Sequence, residues 1–423
     1  MKSKINRRSF LFAMAAAPLA AAVQQAGFSV TAGARLTPWQ PGNLDIHHIA
    51  TGRGNSTFIL MPDGTSLLID AGATADALDV SFHPRPNAER RPGEWIGRYV
   101  LRHLRAANRS SLDYLMVTHL HPDHIGEVTD TSPPSAQGPY KLTGITDVAE
   151  IVPIDTLIDR AFPNYGGPLG QTASFAQNYV AYAKSRVSKG LRVERFRVGS
   201  GDQFHPRGYR EVPGTFGIRN LVANGEVWTG VGEQAKAMFP PLDTLAPRDF
   251  PNENMCSTGI RLRYGDFGYF TAGDLTSYTY DGDLPWRDVL TAAARAAGPV
   301  DVATADHHGL FDGLSADTVR ILKPQAWVIP TWHISQPDIL QLERMFSERL
   351  YPGPRDVFAT TVMHENLLAN SRLTKRLRSN DGHIVVRVAP GGGVFSIFVT
   401  DNGDEEDRVK LSTGPYVSTR KAG

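Results

Sequence analysis

Six residues constrain this chain more than any others: His119-Leu120-His121-Pro122-Asp123-His124, which follow directly on the apolar run 112–118. Imidazole and carboxylate are the side chains from which a borderline cation such as Zn²⁺ takes its ligands. Four of them within six residues cannot all point away from one another. The apolar run reads as a buried strand, and in an extended chain His119 and His121 fall on one side. Pro122 turns the chain and swings Asp123 and His124 toward a second position. The spacing predicts a metal centre with room for two ions, built on a strand end. A polar loop with incidental histidines is the plain alternative, and it leaves the acidic residues at other strand ends unexplained.

The chain has a single cysteine, Cys256, so an intramolecular disulfide and a site of several thiolates are both excluded. Any metal must be held by histidines and carboxylates. Cys256 itself reads as a small buried hydrophobe. Lys and Arg number 44 against 43 for Asp and Glu, which leaves no global field to hold a nucleic acid. At the start of the chain, Asn6-Arg7-Arg8-Ser9-Phe10-Leu11 runs into an alanine-rich apolar stretch and resembles a twin-arginine signal peptide. Residues 1–26 are expected to be removed after export by the twin-arginine machinery, placing the protein in the periplasm or outside the cell. The apolar run is broken by Pro18 and Gln24-Gln25. That leaves it shorter than the roughly 20 residues a spanning helix needs, so no stable membrane anchor is expected.

In the mature chain, 44–72 reads as two strands joined at Pro62-Asp63-Gly64, the second ending at Asp70. Helix periodicity appears over 94–107 and 175–189, with a strand at 112–118 between them. Residues 129–252 read as an elaborated part of the same domain. A second hairpin, 259–272, ends in Gly273-Asp274, and a strand at 300–303 leads toward Asp306-His307-His308-Gly309. Helices at 286–297, 315–322 and 337–349 alternate with a strand at 326–330, and two strands, 383–388 and 394–399, close the domain of 40–400. The last residues, 401–423, read as a flexible tail. The alternation indicates an α/β architecture with mixed sheets.

The H-x-H-x-D-H loop resembles that of the metallo-β-lactamase superfamily, whose fold is a four-layer αβ/βα sandwich of two mixed sheets flanked by helices. The resemblance implies that Asp70, in Leu67-Leu68-Ile69-Asp70-Ala71-Gly72, orients the loop from behind, and that Asp274 bridges two divalent ions, zinc first and manganese second. It assigns His119 and His121 to one ion and Asp123, His124 and one of His307 and His308 to the other. Which of that pair is the ligand is left open. Glu253-Asn254-Met255-Cys256-Ser257 and the His-His-Gly element resemble the hydrolase domain of ComEC competence proteins and its stand-alone relatives. These relatives lack the usual further histidine before the bridging aspartate, so Asn254 or a water completes the first shell.

The implied activity is hydrolysis by a hydroxide shared between two ions, acting on a phosphodiester or other phosphate ester of a small molecule or longer substrate. A lactonase or β-lactamase is the alternative, and a non-catalytic metal-binding protein is the second. Asp123 and Asp274 would serve catalysis as well as binding. His333, after the strand at 326–330, is a candidate proton donor, as is the unliganded member of the 307–308 pair. The stretch from His48 to Asn55 lacks two acidic residues of the ComEC pattern, and Arg53 there is a candidate for holding an anionic substrate. His47 and His48 alternate in a strand, which predicts one facing the core and one facing out.

Overall fold

A computed structural model describes residues 30–166, 172–208 and 212–419. The expected signal peptide, 1–26, lies outside them. The chain opens with β1 (Leu44–His48), β2 (Thr57–Leu60) and β3 (Ser66–Ile69). It continues through α1 (Pro92–Ala106), β4 (Leu112–Val117) and α2 (Pro122–Ile125). Then come α3 (Ile145–Ile151), β5 (Ile154–Asp159), α4 (Ser174–Ser188) and β6 (Arg192–Arg195). The chain next crosses to the other sheet with β7 (Phe216–Ala223), β8 (Glu226–Trp228), β9 (Ala235–Ala237), β10 (Gly259–Tyr264) and β11 (Phe267–Thr271). That sheet is extended by α5 (Val289–Ala297), β12 (Val302–Thr304), α6 (Ala316–Leu322), β13 (Ala326–Ile329), α7 (Ile339–Met345) and β14 (Asp356–Ala359). Finally β15 (His383–Val388), β16 (Val394–Thr400) and β17 (Val409–Val417) return to the first sheet.

The first sheet runs β17-β16-β15-β1-β2-β3-β4-β5-β6 and the second β14-β13-β12-β11-β10-β7-β8-β9. Strand alternation sorts the side chains into three layers of core. Ile59, Ile69, Met116 and Ile158 meet Ile260, Leu262, Val302 and Val328 between the sheets. Phe58, Leu68, Leu115 and Leu157 face the other way, onto Ile96, Val100 and Leu104 of α1 and onto α3 and α4. Phe270, Ala303 and Trp327 pack outward under Leu290 and Leu342. Strands buried on both faces must read as continuous apolar runs, which is why Leu112–Val117 carries so little alternation. The result is the α/β sandwich of two mixed sheets that the sequence indicates.

Four sequence expectations require correction. Residues 44–72 form three strands, because β1 pairs with β2 on one side and with β15 on the other. Of the expected tail, the described residues 401–419 are held in place: β17 runs antiparallel to β16, and Glu405 and Asp407 bind Arg98 and Arg102 of α1. The helix expected at 337–349 is confined to Ile339–Met345. His47 and His48 are both buried, since each face of β1 is covered. His47 lies under α1 against Tyr99 and His103, and His48 lies between the sheets against Tyr269. The elaborated region supplies β5 and β6 to one sheet and β7, β8 and β9 to the other.

Candidate metal centre

Parallel neighbours end at the same edge of a sheet, so whatever follows them is gathered there. Asp70 follows β3 and His119 follows β4, which are parallel partners. Asp274 follows β11 and the 307–308 pair follows β12, parallel partners in the other sheet. The two edges face each other. Close packing holds the loops in register: a Cβ at Gly72 would collide with the Asp123 carbonyl oxygen, and Asn55 N–H donates to that oxygen at 2.7 Å.

One position is formed by Asp123, His124, His308 and Asp274. His124 Nε2 lies 3.1 Å from Asp274 Oδ1 and 3.3 Å from His308 Nε2, and His308 Nε2 lies 2.9 Å from Asp123 Oδ2. Each imidazole is fixed from behind. His124 Nδ1 meets Asp70 Oδ2 at 2.7 Å, and His308 Nδ1 meets the Pro330 carbonyl at 2.9 Å. A carboxylate or carbonyl behind Nδ1 accepts a hydrogen bond from its N–H, which keeps the proton on Nδ1 and aims the Nε2 lone pair into the site.

The other position is formed by His119, His121 and Asp274. His119 Nε2 and His121 Nδ1 approach to 3.1 Å, and Asp274 Oδ2 lies 3.7 Å from His119 Nε2. A hydroxyl has one proton to give. Thr118 donates its own to Asp70 Oδ2 at 2.8 Å and so accepts from His119 Nδ1 at 3.1 Å. His119 Nε2 is thereby left unprotonated. His307 reaches the same side, its Nε2 4.0 Å from Asp274 Oδ2, with Nδ1 held by Asp312 Oδ1 at 2.6 Å. The two histidines left undecided by the sequence therefore face opposite sides of Asp274.

These donors fit divalent cations. Burial, and then His124, hold the His119 imidazole well below its usual range, so it is neutral. Its Nε2 lone pair faces His121 Nδ1 at 3.1 Å, so both nitrogens are within reach of one cation. Burial opposes charge on His308, yet Asp274 and Asp123 overcome it and lift the group to about 10. Asp274 in turn is held well below the carboxylate range, against the pull of burial, by His124 and His308. A pocket that favours positive charge this strongly suits borderline metal ions held by nitrogen and carboxylate oxygen. Asp70, His307 and His308 adopt φ of 60°, 52° and 55°. That backbone region costs non-glycine residues energy and recurs at functional sites.

The structure also shows contacts around the donors that sequence reasoning missed. Glu253 accepts from Leu120 N–H at 2.8 Å and binds the fully buried guanidinium of Arg160, which pins the loop between His119 and His121. Nothing local in the sequence links 160 with 253. Asp312 was within reach, as a carboxylate five residues beyond His307. We expect Asp312→Asn to lower affinity at the His119/His121 side by roughly tenfold to a hundredfold and to leave the Asp123/His124 side filled. Competitive chelator titration resolves the two steps.

Three further expected residues lie outside the two donor groups. Arg53 is buried and its Nη1 donates to the Asp76 carbonyl at 2.5 Å, which ties it to the 53–76 loop. His333 has its Nδ1 on the Ser335 hydroxyl at 2.8 Å, and its neighbour Trp332 is the ring that stands edge-on to His308, at 6.0 Å. The turn after β13 puts Trp332 inward. Asn254 lies 3.0 Å through Nδ2 from His307 Nε2, and its buried Oδ1 has no hydrogen-bond partner among the described residues. Burial pushes the Cys256 thiol up to about 12, which suits a packing role.

Among solved structures, the chain is similar to a putative metal-dependent hydrolase from Parabacteroides distasonis ATCC 8503, at 13% identity over 75% of this chain and 92% of that one, with a TM-score of 0.33. A diphosphatase from the PhnP family is similar at 12% identity over 82% of this chain and 98% of that one, with a TM-score of 0.32. No curated protein matches. Residues 50–130, the segment holding Asp70 and the whole of the His119–His124 loop, match the family model of the metallo-beta-lactamase superfamily.

Proposed function

We propose that this protein is a hydrolase that works through two divalent metal ions, and that it cleaves phosphodiesters or other phosphate esters. The observation that carries the reading is the division of Asp274. Its Oδ1 lies with His124 and His308 while its Oδ2 turns to His119, so one carboxylate borders both positions. Held there, a pair of divalent ions supplies Lewis acidity and lowers the pKa of water toward neutrality. The protein's part is to fix the donors. Asp70 orients His124 directly and His119 through Thr118, Pro330 orients His308, and Asp312 orients His307. Among the described residues only two carboxylates, Asp123 and Asp274, are donors. Two dications held there would be only partly compensated, which would favour an anionic substrate and transition state. The choice of phosphate rests on that balance and on the Glu253–Ser257 and His-His-Gly resemblance.

The test is turnover of bis(p-nitrophenyl) phosphate, a homoserine lactone and a cephalosporin by protein loaded with Zn²⁺ or Mn²⁺. Phosphodiester cleavage at least tenfold above the other two is expected; preference for the lactone or lactam overturns the substrate, and inertness toward all three overturns the hydrolase. We also propose export by the twin-arginine route, on the strength of Arg7-Arg8 and the apolar run after it. Replacing both arginines by lysine should keep the protein in the cytoplasm. Fractionation that still finds it outside contradicts the assignment.

A further inference from the structure

Contiguous exposed apolar surface rimmed by polar residues marks interaction sites, ligand-binding grooves among them. Tyr278, Tyr280 and Phe311 are 38%, 47% and 55% exposed. They touch one another: the Tyr278 ring lies 4.9 Å from Tyr280 and stands edge-on to Phe311 at 5.7 Å. Tyr278 sits four residues beyond Asp274, and Phe311 sits three beyond His308 and next to Asp312, whose carboxylate holds His307. Ser277 N–H donates to the Asp312 carbonyl at 2.9 Å, tying the two ligand loops together beneath the rings. Arg287 lies over Tyr280 at 5.1 Å and donates to the carbonyls of Asp249 and Phe250, which anchors the rim to the elaborated region.

We propose that Tyr278, Tyr280 and Phe311 form a rim that grips a planar apolar group of the substrate, so that the preferred esters carry an aryl or similarly flat group. This rests on the hydrolase reading above and names the class of substrate within it. A partner protein is a poorer occupant. Rings that bury ~150–250 Å² each when covered leave roughly 200–350 Å² at these exposures, well short of the ~800 Å² a partner covers on each side of a stable interface. A single substrate ring matches that area.

The experiment uses two probes. Phenylphosphonate and methylphosphonate are titrated calorimetrically into the metal-loaded protein, and p-nitrophenol is followed by saturation-transfer NMR on the chelated protein, where no metal contributes. Wild type should bind the phenyl compound at least tenfold more tightly, and it should saturate the p-nitrophenol ring protons. The pair Tyr278→Ala and Phe311→Ala, on exposed side chains, should abolish both effects with metal content unchanged. Equal affinity for the two phosphonates, or ring saturation that survives in the double variant, overturns the rim while leaving the metal centre standing. Loss of hydrolysis with the p-nitrophenol contact intact would instead count against the hydrolase.

Discussion

Asp274→Asn should purify with less than one equivalent of divalent metal per chain and lose roughly 10³-fold or more in kcat/KM toward its ester substrate. The reason is geometric and electrostatic together. The two carboxylate oxygens face different histidines, Oδ1 at 3.1 Å from His124 Nε2 and Oδ2 at 3.7 Å from His119 Nε2. An amide keeps the shape but offers one oxygen, no charge, and an NH₂ that points its protons at imidazole lone pairs or at a cation. One substitution therefore damages both positions, whereas Asp123→Asn touches the His124/His308 side alone. Elemental analysis of the two variants beside wild type checks the asymmetry. An Asp274→Asn protein that retains two ions and full turnover would remove Asp274 from the centre.

The second large effect is on stability against acid. Burial holds His47 at about 4 and, with His47 beside it, His48 at about 3; burial also holds His383 at about 3, against the nearby Asp407. Geometry says the same of His383, whose Nδ1 accepts the Ala50 N–H at 2.9 Å and so cannot carry a proton there. In the unfolded chain these groups titrate near 6.5. Between that value and their depressed folded values the unfolded state binds more protons, so stability is present above about pH 6.5 and is lost as pH falls toward 4 and 3. At about 1.4 kcal/mol per pH unit for each group, pH 5 costs roughly 2 kcal/mol per histidine. Three of them together rival the ~5–15 kcal/mol by which domains are stable at all. Urea midpoints of the metal-loaded protein should drop steeply from pH 7 to pH 5, and His383→Gln should flatten the slope. A flat profile in wild type would contradict the buried, neutral state of these imidazoles.

Much of the centre was legible because its donors sit at the tips of strands, and strands buried on both faces announce themselves as apolar runs. Leu112–Val117 followed by the H-x-H-x-D-H loop, and Phe267–Thr271 followed by Gly273-Asp274, are cases where local pattern and global position coincide. What failed to show was long-range or depended on the other face of a layer. His47 and His48 look half exposed by alternation, yet α1 and the second sheet cover both sides of β1. β17 lacks a clean apolar period because it is an edge strand, held as much by Arg98 and Arg102 gripping Glu405 and Asp407 before it as by its own side chains. The split of His307 and His308 depends on two supports that no spacing reveals, the Pro330 carbonyl and the Asp312 carboxylate. The hydrogen bond from Arg53 to the Asp76 carbonyl is likewise a contact that no spacing reveals.

The measurement that bears most directly on the dinuclear centre is a crystal structure of the metal-loaded protein with anomalous scattering recorded at the metal edge. Two peaks ~3.5–4 Å apart, one among Asp123, His124 and His308 and one beside His119 and His121, with Asp274 reaching both, are the predicted result. A lone peak remote from Asp274, or no peak from protein that still turns over its substrate, would contradict it.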